Sequence, residues 1–389
     1  MKEVAIVGAG VTKFGKRNDV TYRELMAEAI VEAIHTTNQE IKPQDIDGLF
    51  VSAAQPELLV EQAHVGNLAA QVAGIQPKII SRVEMACASG SAAMRNAWAA
   101  IQAGLAETVL LIGIEKMTQN PKAASKSLCI VPDVEYESIH GITAYSGFAL
   151  AAKEHMQKYG TTREQLSSVA VKNHYNASLN EKAQFHEMGE IPMEKAINAR
   201  MVSDPLNLFD CSPITDGASA VIITTKENAS KFTDQPVFIR GSGQSTEPSI
   251  GVSNMSSIST WNALKRAANS AYEMAGISPK QINIAETHDC FTIAEIIEYE
   301  DLGFAEKGMG GKFIEDGESK LGGSLPVNTS GGLKAKGHPI GATGLAQITE
   351  ITQQLRGQAG KRQVKDASIG LTHNLSGFAT HHVVHIFSN

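Results

Sequence analysis

Cysteine is scarce in this chain, and the spacing of the cysteines argues against a metal site and a disulfide framework. The 389 residues include four cysteines, at positions 87, 129, 211 and 290. None of them forms a Cys-x-x-Cys pair or another spacing typical of a metal site, and they suggest no disulfide framework. We therefore expect free thiols, no bound metal and a reducing compartment, the cytoplasm.

Long apolar runs and blocks of like charge are also missing. No stretch approaches the roughly 20 apolar residues that span a membrane. The 34 basic residues stand against 41 acidic ones, giving a net charge of −7, so neither nucleic acid nor a membrane is an expected partner. The N-terminal MKEVAIVGAG lacks the apolar core of a signal peptide, and the C-terminal HIFSN is not a peroxisomal signal.

A dinucleotide-binding fingerprint is present only in part. A predicted strand over Val4–Val7 leads into Gly8-Ala9-Gly10, but Lys13 stands where the third glycine of the fingerprint belongs. Helix signals begin only near Thr21. We interpret the two glycines as a turn at the end of a strand.

The chain does contain an internal repeat. Gly8 in AIVGAG corresponds to Gly241 in VFIRGSG, 233 residues later, and IKPQDIDGLFVS resembles ISPKQINIAETH, 236 residues later. Cys87 in CASG corresponds to His338 in HPIG, 251 residues later. Offsets that rise slowly along the chain indicate two copies of one unit with small insertions.

Each copy alternates predicted strands and helices in a βαβαβ pattern. This alternation indicates an α/β fold with parallel or mixed sheets covered by helices. We expect residues 1–118 and 205–235 to form the first half and 236–389 the second. Residues 119–204, rich in Lys, His, Asn and Met, are expected to form an inserted domain.

The repeat bears on Cys87, which precedes the small residues Ala88 to Ala93. Small residues let a helix begin close to its neighbour, and the positive end of a helix favours a thiolate. On these residues alone, a buried cysteine that only packs is the more common outcome. If a pseudo-two-fold axis relates the copies, however, the helix after Cys87 faces the helix after His338. A cysteine facing a histidine is a nucleophile with its base.

Two further stretches carry groups suited to catalysis. ETHDCF follows a predicted strand of the second copy, and strand ends in α/β sheets commonly carry catalytic groups. The alternative for His288 and Cys290 is a loop with a hydrogen-bonded histidine and a core cysteine. The stretch Asn328 to Gly344 has five glycines around His338-Pro339. Such a loop could cradle phosphate, but it lacks the Gly-Lys-Ser/Thr ending of a nucleoside triphosphate loop.

Together, CASGSAA, HDCF, GHPIGATG and HNLSG resemble the motifs of the thiolase superfamily, from the first strand to the last. HDCF and KNHYNASLNEKAQF (Lys172–Phe185) resemble the sterol-carrier-protein type and its archaeal relatives. Common thiolases have NEAF there and a second catalytic cysteine in a C-terminal Cys-x-Gly; here Asn374 stands where that cysteine would fall. The resemblance implies a thiolase fold, two similar α/β halves in five layers, αβαβα, with a loop domain that covers coenzyme A.

The resemblance also implies a division of labour among four side chains. Cys87 is the nucleophile that carries the acyl group, and His338 is the base that activates it. Cys290 is the acid/base that moves the proton of the α-carbon. His288 and His338 form an oxyanion hole for the thioester enolate.

Backbone groups complete the implied site. The N–H groups of Cys87 and of the Ser376-Gly377 turn form the oxyanion hole of the tetrahedral intermediate, and Ser376 replaces a glycine common in relatives. No cofactor and no metal are implied, because coenzyme A thioesters are substrates. Lysines of the inserted segment are expected to meet their phosphates: Lys122, Lys126, Lys172 and Lys182.

The implied reaction is the reversible condensation of two acetyl-CoA to acetoacetyl-CoA and CoA, as an early step of mevalonate synthesis. One alternative is a 3-ketoacyl-CoA thiolase acting on longer or branched chains. Another is a non-thiolytic aldolase or scaffold subunit on the same fold, which could dispense with Cys87, Cys290 or His338. Expected partners are further copies of the chain in a homodimer or tetramer. A complex with 3-hydroxy-3-methylglutaryl-CoA synthase and a small zinc-ribbon/OB-fold protein is also expected.

Overall fold

The computed structural model describes all of residues 1–389 and arranges them around one nine-stranded sheet and a separate two-stranded ribbon. The strands are β1 Val4–Val11, β2 Gly48–Ser52, β3 Ile79–Val83, β4 Thr108–Lys116, β5 Met201–Ser203, β6 Leu206–Asn207, β7 Asp216–Thr225, β8 Val237–Thr246, β9 Ile284–Glu286, β10 Ile369–Ser376 and β11 His381–Ser388. The helices are α1 Tyr22–His35, α2 Pro56–Leu59, α3 Val65–Ala73, α4 Ser89–Gln102, α5 Pro121–Cys129, α6 Ala144–Tyr159, α7 Arg163–Ser178, α8 Met193–Ile197, α9 Lys226–Ala229, α10 Asn262–Ala275, α11 Thr292–Asp301, α12 Gly310–Glu315 and α13 Thr343–Leu355.

The order of the strands shows the duplication directly. The sheet runs β3-β2-β4-β7-β1-β8-β11-β10-β9, so β2-β4-β7-β1 in the first half corresponds to β9-β10-β11-β8 in the second. Each of these four-strand sets begins with a parallel pair, β2 with β4 and β9 with β10, and continues with antiparallel pairs. The extra edge strand β3 has a remnant counterpart, a single parallel bridge between Ala285 and Val327. The predicted repeat is therefore confirmed.

Two helices lie between the halves and three cover the outer faces. Helix α4 packs against β2, β4 and β11, and α13 packs against β1, β7 and β10, so each contacts strands of both halves. Helices α1 and α3 cover the outer face of the first half, and α10 covers that of the second. The predicted αβαβα layering is confirmed.

The Gly-x-Gly pairs serve close packing, and our interpretation of the first pair as a turn is wrong. Gly8 and Gly10 lie inside β1, and Gly241 and Gly243 occupy the matching places in β8. A Cβ on any of the four would fall within 3 Å of the backbone of α1 or α10. Only glycine lets strand and outer helix approach this closely.

The segment between β4 and β7 contains helices α5 to α8. Thr162 caps α7 by accepting a hydrogen bond from the backbone N–H of Gln165, whose side chain accepts the N–H of Thr162 in return. Helix α7 packs against α11, α12 and the glycine-rich loop that carries His338. The insertion thus supports the catalytic loop from one side. None of the thirteen helices has the length and apolar character that crossing a lipid bilayer requires.

Candidate active site

A strained turn presents Cys87 between β3 and α4. Ala86 adopts a left-handed conformation with φ of 42°, which is costly for a residue with a side chain. The hydroxyl of Ser89 fastens the turn, accepting the N–H of Met85 at 2.8 Å and donating to the carbonyl of Ala86 at 2.6 Å. Cys87 therefore lies just before the first turn of α4, where it is partly exposed.

The starts of α4 and α13 face each other, as the repeat predicts. A Cβ on Gly90 would lie 2.9 Å from Gly344, and a Cβ on Gly344 would meet the backbone of Ser91. Gly90 and Gly344 are each the second residue of their helix, so this contact joins the first turns of α4 and α13. It brings the Cys87 turn next to the loop that carries His338.

Three of the predicted side chains converge there. The sulfur of Cys87 and one ring nitrogen each of His288 and His338 lie within 4.8 Å of one another. The two imidazole rings meet edge to face, with centroids 5.1 Å apart. Only these three residues bring Cys, His or carboxylate donors close enough to share a metal ion.

The hydrogen bonds of His338 fix its tautomer. Thr343 donates its one hydroxyl proton to the carbonyl of Pro339 at 3.0 Å. Its oxygen, 2.7 Å from Nδ1 of His338, must therefore accept the Nδ1 proton. The neutral imidazole then carries a lone pair on Nε2, so His338 is set up as a base.

Hydrogen bonding fixes the opposite tautomer in His288. The side-chain amide of Asn374 donates to Nδ1 of His288 at 2.6 Å, so the neutral ring carries its proton on Nε2. This buried Nε2–H has no acceptor within the chain. An unsatisfied buried donor is costly unless a ligand oxygen completes it. His288 is thus set up as a hydrogen-bond donor to substrate.

Burial keeps this site uncharged. It raises the pKa of the Cys87 thiol to about 12, with a smaller contribution from the carboxyl of Glu115. It lowers the pKa of His338 to about 3 and that of His288 well below its usual value. Burial of the thiol thus acts against the thiolate that the helix start is expected to favour.

Cys290 lies in a more apolar environment. It belongs to the core cluster that includes Phe148, Phe291 and Phe378, and its N–H donates to the carbonyl of His288 at 2.7 Å. Burial raises its pKa well above the usual value, and the nearby Cys87 raises it further. Cys290 is therefore a thiol next to the convergent group, and it lies outside the group itself.

The Ser376-Gly377 turn lies beside a cavity next to Cys87. Ser376 ends β10, and Gly377 follows with φ of 59°. Both line a cavity of about 520 Å³, together with Ala86. The backbone N–H groups of Cys87 and Gly377 have no acceptor within the chain, so both are free to bind a substrate oxygen.

A buried polar network ties the HDCF motif to α7. Asp289 accepts the backbone N–H groups of Leu333 and Lys334 in the glycine-rich loop, at 2.6 and 3.1 Å. Asn173 of α7 bridges the carboxylates of Asp289 and Glu295. The network explains why HDCF and the α7 stretch occur together in one sequence.

Two of the lysines expected to meet phosphate have ion-pair partners within the chain. Lys172 is buried and paired with Glu295, and it donates to the carbonyl of Val327 at 2.7 Å. Lys182 pairs with Glu32 and donates to the carbonyl of Val11. The buried Lys172 is therefore not a free phosphate contact, whereas the ion pair of Lys182 is partly exposed and its expected contact stays a prediction.

Sequence reasoning missed three supporting residues. Glu115 accepts the N–H groups of Ala54 at 2.8 Å and Gly341 at 3.0 Å, joining two loops at the site. The sequence feature that could have revealed Glu115 is its position as the single carboxylate in the otherwise apolar strand TVLLIGIE. Thr343 and Asn374 lie within the motifs considered, but only the three-dimensional hydrogen bonds show that they orient His338 and His288.

Comparison with known proteins agrees with this geometry. The family model "Thiolase, N-terminal domain" matches residues 4–227, and "Thiolase C-terminal domain-like" matches residues 243–389. The chain is 44% identical over 390 residues to an acetyl-CoA acetyltransferase of Methanothermobacter thermautotrophicus, covering 100% of both proteins. It is 35% identical to sterol carrier protein 2 of Bos taurus, covering 96% of this chain and 70% of that protein.

A solved structure is also similar over nearly the whole length. The Ltp2-ChsH2(DUF35) aldolase aligns with a TM-score of 0.85 and 27% identity, covering 99% of this chain and 97% of that chain. The two family models together match residues 4–227 and 243–389, and the 44% identical relative aligns over the full chain. The chain belongs to the thiolase family and is an acyltransferase.

Proposed function

We propose that this protein condenses two molecules of acetyl-CoA to acetoacetyl-CoA and CoA, reversibly, through an acetyl group carried on Cys87. The observation that carries the proposal is the convergence of one thiol with two imidazoles held in opposite tautomers. The relative named as an acetyl-CoA acetyltransferase, 44% identical over the full chain, supports the choice of substrate.

The first half-reaction acetylates Cys87. Its sulfur attacks the thioester carbonyl while its proton passes to Nε2 of His338. The oxyanion of the tetrahedral intermediate accepts the free N–H groups of Cys87 and Gly377. The carbon–sulfur bond to CoA then breaks, and the CoA sulfur takes the proton of Cys290. His338 is left protonated, and Cys290 is left as a thiolate.

The second half-reaction forms the carbon–carbon bond. Cys290 removes a proton from the α-carbon of the second acetyl-CoA. Both His288 and His338 now carry a proton on Nε2, so both donate to the enolate oxygen. The enolate carbon attacks the acetyl carbonyl, and Cys87 leaves with the proton of His338. Each protein group thereby regains its starting protonation state: Cys87 recovers its proton from His338, the former proton of Cys290 leaves on CoA, and the α-carbon proton replaces it on Cys290. We propose that no metal or redox cofactor takes part.

Two other activities use the same groups. A 3-ketoacyl-CoA thiolase for longer or branched chains would need more room, and the cavity beside Cys87 has about 520 Å³. An aldolase activity is suggested by the Ltp2-ChsH2(DUF35) aldolase, which shares the fold. We favour condensation because Cys87 and His338 together supply a nucleophile and a base, which an aldol cleavage does not require.

A direct assay separates these activities. The purified protein is incubated with acetyl-CoA alone, then with acetoacetyl-CoA and CoA, and the absorbance of the acetoacetyl-CoA enolate is followed. We expect the band to appear in the first case and to disappear in the second. Activity restricted to longer 3-ketoacyl-CoA substrates, or to aldol cleavage, would contradict the proposal.

We also propose that the protein forms a homodimer, or a tetramer of two dimers, through β3. This strand pairs only with β2, and Ile80 on it is exposed. An unpaired edge strand invites pairing with another chain. Beside it, Leu105 is exposed at the rim of a groove of about 750 Å³ along α4. Light scattering should show a dimer or tetramer that Ile80→Lys weakens; a stable monomer would contradict this proposal.

The setting we propose is mevalonate synthesis in the cytoplasm, for which four free cysteines suit a reducing compartment. Within it, the protein would bind 3-hydroxy-3-methylglutaryl-CoA synthase and a small zinc-ribbon/OB-fold protein. Exposed apolar side chains support docking here: Ile130 and Ile250 line the cavity, and Val134, Tyr136 and Ile139 follow Ile130 in the chain. Size-exclusion chromatography of the mixed proteins should yield a complex that Tyr136→Lys weakens. Independent elution of all components would contradict it.

A further inference from the structure

Glu115 joins two loops that meet at the active site. It lies near the end of β4, and its side chain is buried. Its Oε2 accepts the backbone N–H groups of Ala54 at 2.8 Å and of Gly341 at 3.0 Å. The other oxygen, Oε1, lies 3.4 Å from the backbone nitrogen of Gln55. We refer to the two bonds to Ala54 and Gly341 as the Glu115 clamp.

The Glu115 clamp connects the wall of the substrate cavity to the loop that carries the base. Ala54 and Gln55 line that cavity, and Gly341 follows His338 by three residues. The hydroxyl of Ser52 donates to the carbonyl of Gly341 at 2.7 Å. Side chains of the first half therefore hold both backbone polar groups of Gly341, and a shift of Gly341 would move the loop that positions the His338 ring.

The hydrogen-bond partners of Glu115 suit a carboxylate. All three are N–H groups, which only donate. A protonated carboxyl would add an O–H group that finds no acceptor among them, and an unsatisfied buried donor is costly. Protonation would also replace charge-assisted hydrogen bonds with ordinary ones, which are about half as strong. The Glu115 clamp is therefore tight when Glu115 is charged and weak when it is neutral.

Glu115 changes its charge near neutral pH. Burial raises its pKa to about 7, although its N–H partners and the guanidinium of Arg82 oppose this rise. Neither Cys87, with a pKa of about 12, nor His338, with a pKa of about 3, changes its charge near pH 7. The titratable groups on the elements around Glu115 are Arg82 on β3, Cys87 before α4, Tyr22 on α1, Glu57 on α2 and Asp216 on β7.

We propose that Glu115 is a positioning residue: its carboxylate holds the loop of His338 against the cavity wall, and the uptake of one proton by Glu115 loosens this hold. The inference rests on the proposed function and adds a control by pH to it. Glu115 acts through His338, which takes part in both half-reactions. Acetylation of Cys87 and formation of acetoacetyl-CoA should therefore slow together.

The charge of Glu115 also has a direct effect on Cys87, and this effect acts in the opposite direction. After the larger effect of burial, the carboxylate raises the pKa of the Cys87 thiol. If that were its only influence, neutralising Glu115 would make Cys87 more reactive and acetylation faster. Looser positioning of His338 makes acetylation slower. The direction of the change therefore distinguishes positioning from charge alone.

The experiment measures both half-reactions of the full-length protein between pH 5 and 9. Glu115→Gln has the shape and charge of the protonated acid. Ser52→Ala is the matched control, because it removes the other hydrogen bond to Gly341 and leaves Glu115 free to titrate. Alkylation of Cys87 by iodoacetamide, which does not need His338 as a base, is followed in parallel. Infrared spectra of the wild type record the carbonyl band of protonated carboxyl groups over the same pH range.

We expect the wild-type rates of both half-reactions to fall about tenfold as the pH drops through 7, within the roughly 10²-fold that a misplacement of 1 Å can cost. Glu115→Gln should have the low rate of the wild type at pH 5 and keep it at every pH. At pH 8 its Cys87 should be alkylated at least as fast as in the wild type. Ser52→Ala should be slower throughout and retain the fall.

Four results would overturn the inference. The first is a wild-type rate that does not fall near pH 7, and the second is a Glu115→Gln variant that keeps the fall, which would assign it to another group such as a substrate phosphate. The third is faster acetylation in Glu115→Gln at pH 8, which would indicate an effect of charge alone. The fourth, which decides even if Glu115→Gln does not fold, is a carbonyl band that does not titrate near pH 7. A wild-type protein that shows the expected acetylation profile yet forms no acetoacetyl-CoA would instead refute the proposed function.

Discussion

Replacing Thr343 tests whether the tautomer of His338 sets the rate of acetylation. The Thr343 hydroxyl accepts the Nδ1 proton of His338 at 2.7 Å and donates to the carbonyl of Pro339 at 3.0 Å. Thr343→Val keeps the shape of the side chain and removes the hydroxyl. Thr343→Ser keeps the hydroxyl and is the matched control.

The expected magnitude follows from the burial of His338. Without an acceptor, a buried N–H costs about 1–3 kcal/mol. The alternative tautomer, with the proton on Nε2, avoids this cost, so the population of the active tautomer falls between about 5- and 150-fold. The alternative tautomer cannot accept the proton of Cys87. We therefore expect Thr343→Val to acetylate Cys87 about 10–100-fold more slowly than wild type.

Intact-protein mass spectrometry after rapid mixing with acetyl-CoA gives the rate directly. Thr343→Ser should acetylate at close to the wild-type rate. Thermal unfolding of both variants reports the loss of the bond to Pro339, about 1 kcal/mol in the Val variant. If Thr343→Val folds and acetylates as fast as wild type, the assignment of His338 as the base through Nε2 is wrong.

Three further predictions concern the orientation of His288, the charge of Cys87 and the role of Lys172. Asn374→Ala should slow condensation about 10²–10³-fold, the effect of losing one oxyanion donor, because His288 is no longer held with its proton on Nε2; equal rates of acetoacetyl-CoA formation would contradict this. Burial raises the pKa of Cys87 to about 12. The rate of its alkylation by iodoacetamide should therefore rise about tenfold per pH unit between pH 6 and 9. An alkylation rate that is constant around neutral pH would indicate a stable thiolate and contradict this. Lys172→Met should destabilise the protein by about 3–5 kcal/mol, since it leaves Glu295 buried without its partner. The KM for acetyl-CoA should stay unchanged. A raised KM in a stable variant would indicate that Lys172 contacts the phosphates after all.

The fold was predictable from sequence because duplication leaves a regular signal. Corresponding motifs such as those at Gly8 and Gly241 recur at slowly rising offsets, so the order of elements in one half repeats in the other. The function of these glycines was not predictable. Glycine suits both a turn and close packing of helix on strand, and only the position of α1 against β1 distinguishes them.

The positions of the central side chains were predictable, and their protonation was not. The match of Cys87 with His338 follows from the repeat, since equivalent helix starts meet near a pseudo-two-fold axis. The tautomers depend on Thr343 and Asn374, whose hydrogen bonds span 5 and 86 residues of sequence. A sequence motif does not record which side chain donates.

Charge was the least predictable property. A helix start favours a thiolate at Cys87, but the depth of burial decides the pKa and cannot be read from neighbouring residues. Lys172 and Lys182 likewise look like free cations in the sequence. Their partners, Glu295 and Glu32, lie 123 and 150 residues away.

The account's central claim is that Cys87 carries the acetyl group and Cys290 only moves protons. Mass spectrometry of Cys87→Ala and Cys290→Ala after brief incubation with acetyl-CoA tests it most directly. Cys290→Ala should hold an acetyl group on Cys87 yet form acetoacetyl-CoA at least about 10²–10⁴-fold more slowly, the usual loss on removing a general acid/base. Cys87→Ala should show neither adduct nor turnover. An acetyl group found on Cys290, or still present in Cys87→Ala, would contradict the claim.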